Sequence, residues 1–342
     1  MGTAGKLGID RAGAYVLGID LGGTKILAAV VDEDGRIVAR AKNATRPDLG
    51  PDGVIERIVS TIQTAVKTAD VTDSDVVAIG IGAPAPVNPN TGVLYAAPNL
   101  PGWDRVELGP RLHERMGIPV VVDNDVNVGT LGEYVLGAGQ GAGDMVGIFV
   151  GTGVGGGIII DGQLRRGFRY SAGELGHMIM VPHGPLCGCG KRGCLEALAS
   201  RTAIEREVRA AMATGRKSVV GDLLATSKKN RLTSGTIRKA LDHDDALMKE
   251  VLAQAQFYLG LLVANVVNLL DPEMFVFGGG VVEALGNDFL QPIREVAVAN
   301  FKQALDGEKV RIVPAELGDD AGVLGAAILA SRQAFKRPTA AS

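Results

Sequence analysis

Apolar and polar positions alternate along the first third of the chain in short bursts. Tyr15–Ile19 is an apolar run ending at Asp20, Ile26–Val31 is a second, and Ile37–Ala41 is a third. Runs of this length, broken at Leu21-Gly22-Gly23-Thr24 and at Asp34-Gly35, predict strands of a meander, with Asp34-Gly35 as a hairpin turn. Val54–Ala69 instead places Val54, Ile58, Ile62 and Val66 at helical spacing and predicts a helix. Further strands are predicted at Val76–Ile81, at Val120–Val122 ending in Asp123-Asn124-Asp125, at Val146–Val150 and at Ile158–Ile160. Beyond Ser200 the periodicity turns helical, over Ile204–Ala213 and Asp244–Leu269. Short strands at Met274–Phe277 and Val310–Val313 and a closing helix at Val323–Phe335 complete an α/β pattern.

Two segments share one layout. GIDLGGTKILAAVVDEDG and IFVGTGVGGGIIIDG each read strand, Gly-rich turn, strand, Asp-containing turn. The spacing is too long for a solenoid repeat. It predicts two related lobes, each opening with a Gly-turned hairpin, and a ligand held between them would touch both turns. With 342 residues, two lobes of ordinary size are expected.

Composition narrows the class. Hydrophobic residues make up 46% and charged residues 21%, so a buried core is expected and wholesale disorder is not. The net charge of -3 and the lack of a basic stripe argue against a nucleic-acid partner. Residues 1–13 read as a mobile tail without a signal pattern. Tyr258–Leu270, the longest apolar stretch, is interrupted by Asn265 and Asn268 and is too short to span a bilayer, so no membrane partner and a cytoplasmic location are expected. Glycine, at 48 residues, is roughly twice its usual share, and it is clustered where backbone must turn or approach a ligand.

Those clusters carry candidate chemistry. Gly18–Lys25, GIDLGGTK, has the parts of a phosphate loop in the wrong order for a Walker motif, since Thr24 precedes Lys25 and a strand follows. Its Gly22 and Gly23 can present backbone N–H groups to phosphate, while Thr24 adds a hydroxyl and Lys25 a charge. An ordinary hairpin turn is the plainer reading. Gly151-Thr152-Gly153-Val154-Gly155-Gly156 satisfies GxGxxG, with Glu174 near the distance of a ribose acid. The dinucleotide fingerprint, however, needs a helix where Ile158–Ile160 predicts a strand. A second phosphate-cradling hairpin fits better.

At the end of the Val120–Val122 strand, Asp123 or Asp125 could accept a hydroxyl proton in phosphoryl transfer, or the cluster could cap the next helix. All three cysteines fall in one window, Cys187-Gly188-Cys189-Gly190-Lys191-Arg192-Gly193-Cys194, with His177 just upstream. Three thiolates and an imidazole are the donor set of a closed structural zinc site. A Cys187–Cys189 disulfide or free buried thiols are the alternatives.

Taken in order, DLGGTK, PNLPGW, DNDVN, GTGVGGG, AGELGH, CGCGKRGCLE and FGGG resemble the ROK family (repressors, open reading frames and sugar kinases) from Val16 to the C-terminal helix. The resemblance implies an actin/hexokinase-like (ribonuclease H-like) two-lobed ATPase fold with an interlobe cleft. The N-terminal lobe would take residues 14–136 plus about 322–337, and the C-terminal lobe residues 137–321 with the zinc knuckle. It implies Asp125 as catalytic base, and Asn99, Asn124, Asp125, Glu174, His177 and Glu196 against sugar hydroxyls. His177 would use its other ring nitrogen on zinc, beside Cys187, Cys189 and Cys194. Asp20, Gly22, Gly23, Thr24 and Lys25, with Gly151, Thr152, Gly153, Gly155 and Gly156, would hold the phosphates of ATP, entering with Mg²⁺. Gly278, Gly279 and Gly280 would sit near the adenosine.

The implied activity is phosphorylation of glucose at its 6-hydroxyl. A kinase for N-acetylglucosamine or N-acetylmannosamine is the alternative, and a sugar-sensing regulator is the poorer one. Nineteen residues precede Asp20, too few for the helix-turn-helix domain of family repressors. Family members are commonly dimers or tetramers, which makes a homo-oligomer the expectation. One position departs from the family kinases: Pro84-Ala85 stands where they have Pro-Gly, and its extra methyl narrows that side of the sugar loop.

Overall fold

A computed structural model of the chain describes residues 7, 9, 13–95, 97, 100–226, 230–302 and 309–334. Asn99, Phe335 and most of the expected tail lie outside these residues. Within the tail, Leu7 and Ile9 are buried, and Leu7 donates its N–H to the Glu33 carbonyl at 3.1 Å, so the tail is tied down there.

The chain divides into two units. One holds the residues up to Gly141, Leu164–Ala172 and the chain from Asp319 onward; the other holds Ala142–Gln163 and Gly173–Gly318. In the first unit, β1 (Tyr15–Leu21), β2 (Lys25–Val31) and β3 (Ile37–Ala44) form the antiparallel meander. Its second turn closes where Asp32 Oδ1 accepts from the N–H groups of Asp34 and Arg36. Helix α1 (Gly50–Ala69) begins four residues earlier than the apolar spacing predicts, because Pro51 is well placed in a first turn that needs no N–H from it. β4 (Val76–Ala83) then pairs parallel to β1. The small hairpin β5 (Val87–Asn88) and β6 (Val93–Leu94) and helix α2 (Leu108–Met116) follow. β7 (Val120–Asn124) pairs parallel to β4 and runs straight into α3 (Asp125–Leu136). The sheet order is β3-β2-β1-β4-β7. Strands β1 and β4 are apolar nearly throughout, as strands covered on both faces must be, whereas edge strand β3 alternates buried and exposed.

The second unit repeats this plan. β8 (Met145–Val150) and β9 (Val154–Ile160) are antiparallel, and β10 (Gln163–Leu164) extends the edge. Helices α4 (Glu196–Ala199), α5 (Arg201–Ala213), α6 (Val220–Ala225), α7 (Ser234–Asp242) and α8 (Ala246–Leu270) come next. β11 (Met274–Gly278), α9 (Gly280–Leu285), α10 (Asn287–Asn300) and β12 (Arg311–Pro314) finish the unit. β11 is parallel to β8, and β12 to β11, which gives the order β10-β9-β8-β11-β12. The repeat seen in the two Gly-turned hairpins is therefore a repeat of sheet topology. Each unit has its own core, around Leu17, Ile55 and Ile81 in the first and around Phe275, Phe277 and Phe289 in the second. By length and composition α8 could cross a bilayer, and it is longer than the apolar stretch Tyr258–Leu270 suggested. Its apolar face, including Leu252, Leu259, Leu262 and Val263, is buried in the second core.

The last helix, α11 (Ala321–Ala334), returns to the first unit and lies on β1 and β4. The approach is so close that a Cβ on Gly18 would overlap the Val323 carbonyl, and one on Gly80 the Ala326 carbonyl. Backbone cannot yield as a flexible side chain would. Gly18→Ala is expected to destabilise the protein by about 2 kcal/mol or more, read as a lower midpoint in urea unfolding. An unchanged midpoint would refute the tight contact.

Candidate active site and metal centre

The first unit supplies a phosphate-type turn and a carboxylate. Between β1 and β2, the Gly22 N–H donates to the Lys25 carbonyl at 2.9 Å. The Thr45 hydroxyl donates to the Gly22 carbonyl at 2.6 Å, and the Thr45 N–H donates to the Thr24 carbonyl at 3.1 Å. The turn is thus braced from behind by a residue that motif reading missed. The Gly22 N–H is spent on closing the hairpin. Thr24 is exposed, and Lys25 Nζ lies 3.6 Å from Asp319 Oδ1 in a solvent-facing pair of little strength. Asp20 sits behind the turn against Gly322, at the start of α11. Burial raises its carboxyl pKa, the Lys25 charge opposes that, and Asp319 adds to it.

At the β7–α3 junction the three polar residues divide the work. Asn124 is the N-cap, its side-chain oxygen accepting from Val126 N at 3.0 Å and Asn127 N at 3.1 Å. Asp123 is 2% exposed and fully engaged. Its Oδ1 accepts from Asn124 N at 2.8 Å and Asn127 Nδ2 at 3.0 Å, and its Oδ2 takes Arg166 Nε at 2.5 Å. Asp125 opens α3 and is only half-buried; its Oδ1 accepts from Asn124 Nδ2 at 3.0 Å and Val126 N at 2.9 Å. The capping role therefore falls to Asn124 and the structural ion pair to Asp123. Asp125 is the carboxylate left at the surface of the junction. Asn124 also donates to the Ala85 carbonyl at 3.4 Å, which ties the departing Pro84-Ala85 loop to this site. No spacing rule would have found Arg166, one of three arginines in Arg165–Tyr170.

The second unit supplies another turn and the cysteine knuckle. The turn between β8 and β9 is only Gly151-Thr152-Gly153, and β9 already begins at Val154. Gly155 and Gly156 thus belong to the strand, a correction to the expected strand start at Ile158. The reason is packing: a Cβ on Gly156 would come within 2.6 Å of Leu175 Cγ and 2.8 Å of the Gly173 carbonyl. That clearance seats the single 3₁₀ turn Leu175–His177. Gly279, at φ 87, packs its backbone against Val150 at the end of β8 and N-caps α9, so the Gly278–Gly280 loop adjoins the Gly151–Gly153 turn.

His177, Cys187, Cys189 and Cys194 converge, with one ligand atom from each all lying within 4.8 Å of one another. Cys187 Sγ is 3.7 Å from His177 Nδ1, and Cys189 Sγ is 3.7 Å from Cys194 Sγ. A zinc tetrahedron with Zn–S near 2.3 Å has S···S edges of about 3.8 Å, so the donor set fits this metal. No disulfide is formed; all three thiols are free. Burial pushes the Cys187 thiol up to about 12 and raises Cys194 as well, while the Lys191 N–H lowers Cys189. Metal uptake by such thiols displaces protons.

Around the knuckle, Glu174 Oε2 is 4.0 Å from His177 Nε2, the ring nitrogen turned away from the cysteines. Glu196 Oε2 accepts from Val154 N at 3.1 Å, and its Oε1 faces Cys187 Sγ at 3.6 Å. One carboxylate thus joins the second turn to the knuckle.

The ROK family model matches residues 16–333. The chain is 38% identical to the glucokinase of Halalkalibacterium halodurans, over 93% of this chain and 96% of that protein. It is 32% identical to the N-acetylmannosamine kinase of Citrobacter koseri, over 92% and 98%. Among solved structures, the ROK family glucokinase from Streptomyces griseus in complex with glucose and AMPPNP aligns with a TM-score of 0.81 at 36% identity, covering 94% of this chain and 100% of that one. The likeness establishes the actin/hexokinase-like fold.

Proposed function

The chain belongs to the ROK family and is a sugar kinase, and from that premise we propose that it is an ATP-dependent glucokinase with Asp125 as its general base. The observation that carries the choice of base is the division of labour at the β7–α3 junction. Asn124 caps, Asp123 is bound to Arg166, and Asp125 presents a half-buried carboxylate at a strand end. In the reaction the sugar 6-hydroxyl oxygen forms a bond to the γ-phosphorus, and the bond from that phosphorus to the β,γ-bridging oxygen breaks. ADP leaves, and the hydroxyl proton passes to the Asp125 carboxylate. The work of such a site is positioning and charge stabilisation more than covalent chemistry.

Asn99, Asn124, Glu174, His177 and Glu196 contact sugar hydroxyls in this reading. Asp20, Gly22, Gly23, Thr24 and Lys25, with Gly151, Thr152, Gly153, Gly155 and Gly156, line the phosphate site, and Gly278–Gly280 lies by the adenosine. Mg²⁺ arrives with the nucleotide and offsets phosphate charge. His177, Cys187, Cys189 and Cys194 hold a structural Zn²⁺, which fixes the loop carrying Glu174 and Glu196. A cytoplasmic homo-oligomer completes the proposal.

Glu174 and Glu196 accept hydrogen bonds from neutral hydroxyls and repel anionic sugars. The likeness to the N-acetylmannosamine kinase of Citrobacter koseri keeps an N-acetylhexosamine as second reading. A site built around a hydroxyl can reject an analogue lacking it by ~10⁴-fold, while an epimer is better tolerated. We expect kcat/KM to fall in the order glucose, mannose, N-acetylhexosamines, measured by ADP release with ATP and Mg²⁺. An N-acetylhexosamine that exceeds glucose would transfer the assignment to it.

A further inference from the structure

The second unit carries an arginine pair that the mechanism above leaves unused. Arg201, at the start of α5, donates through Nη1 to the Leu232 carbonyl at 2.5 Å and through Nη2 to Thr152 Oγ1 at 2.6 Å. It forms no ion pair within 4.0 Å among the described residues; the nearby Glu205 carboxylate takes Arg209 instead, at 2.8 Å. Arg231, exposed, directly precedes the Leu232 that binds it. Burial, and then the like charge of Arg231, work against the Arg201 cation, and the Glu205 charge offsets only part of this. A half-buried guanidinium beside a second one, with no carboxylate within ion-pair distance of either among the described residues, suits an anion.

The surroundings fit a phosphate chain. The carbonyls of the turn are all engaged within the unit: Gly151 O accepts from Arg201 N, Thr152 O from the Thr202 hydroxyl and Gly153 O from Gly151 N. The turn therefore shows an incoming anion no free carbonyl oxygen. Because Arg201 donates to Thr152 Oγ1, the hydrogen of that exposed hydroxyl is left to donate outward. The segment bearing Arg231 reaches on to Ser234, whose hydroxyl would lie 3.1 Å from a Cβ on Gly280. Arg201, Arg231, the Gly151–Gly153 turn and the Gly278–Gly280 loop thus gather at one end of the second sheet.

We propose that Arg201 and Arg231 bind the phosphoanhydride chain of the phosphoryl donor at the Gly151–Gly153 turn, with Arg201 also orienting the Thr152 hydroxyl toward it. The proposal rests on the kinase reading and deepens it. The chain could belong to a nucleoside triphosphate or to inorganic polyphosphate, since the two share this chemistry.

The test uses the full-length, zinc-loaded protein and calorimetric titration with tripolyphosphate, ATP and adenosine. Charge-assisted hydrogen bonds of this kind are worth roughly tenfold to a hundredfold in affinity. Arg201→Ala is expected to weaken tripolyphosphate and ATP by about that factor, with adenosine and glucose unchanged. Arg201→Lys keeps the charge without the planar fork and falls between. Arg231→Ala, a surface change that leaves the fold intact, weakens the same two ligands by a smaller factor. Tripolyphosphate affinity within twofold of the parent in both alanine variants, or adenosine weakened equally, overturns the proposal. Comparing kcat/KM for ATP and for long-chain polyphosphate in the parent protein assigns the source of the chain. Arg201-dependent tripolyphosphate binding in a protein that phosphorylates no hexose would sink the kinase reading and leave the anion site standing. An active parent with unaffected variants would do the reverse.

Discussion

Asp125→Asn is expected to lower kcat by ~10²–10⁴-fold while leaving glucose affinity nearly intact. The substitution keeps size, and its side-chain oxygen can still accept from Val126 N and Asn124 Nδ2, so the start of α3 should hold. What is lost is the ability to take a proton. The informative comparison is Asp123→Asn, two residues away. Asp123 is buried and binds Arg166, so its neutralisation leaves a guanidinium without its partner and should appear first as a lower melting temperature. Measuring kcat, glucose Kd and Tm for both variants separates base from scaffold. Near-normal turnover in Asp125→Asn, with a folded but inactive Asp123→Asn, would reassign the base to Asp123.

Much of the frame was legible because burial dictates pattern. β1 and β4 read as strands since both faces are covered, and α1 read as a helix since one face is. The two Gly-turned hairpins even announced that the sheets repeat one topology. Within the glycine run Gly151–Gly157 the start of β9 was misplaced, for a physical reason. Glycine marks a turn or a close approach equally well, and Gly156 serves the second, making room for Leu175. Only the partner element distinguishes the two, and that element lies in another stretch of chain. Helix α10 escaped for a similar reason: Pro292 lies inside it and interrupts its pattern, while the Asp288 carbonyl that a proline N–H cannot serve takes Gln256 Nε2 at 3.2 Å, from a distant helix.

The site was legible in proportion to how local it is. Four zinc-type ligands within Gly176–Cys194 need no long-range knowledge, and the structure brings them together. The roles within Asp123-Asn124-Asp125 were open in sequence, because the decision depends on Arg166, distant in the chain. Thr45 behind the first turn and Arg201 behind the second were unreadable for the same cause. Each acts by bonding a loop far from it in sequence.

The knuckle gives the other large expected effect. Purified protein should hold about one zinc per chain, and Cys189→Ser should lose it. Cys189 is the exposed member of the set, whereas Cys187 and Cys194 are buried, so serine there removes a ligand without disturbing the core. The consequence should reach the sugar. Cys187 Sγ faces both His177 Nδ1, at 3.7 Å, and Glu196 Oε1, at 3.6 Å, and the same Glu196 holds Val154 N. A metal held by Cys187 and Cys194 would also hold the His177 imidazole and would pin the backbone two residues before Glu196; without it that loop loses its anchor. Groups that orient a metal's ligands typically matter by 10–100-fold, and we expect kcat/KM for glucose to fall by about that factor in Cys189→Ser. Stripping the parent with a chelator should give the same loss together with a lower Tm, and added zinc should restore both in the parent but not in the variant. Metal-free protein that keeps full activity would show that the knuckle has no hold on the sugar-facing residues.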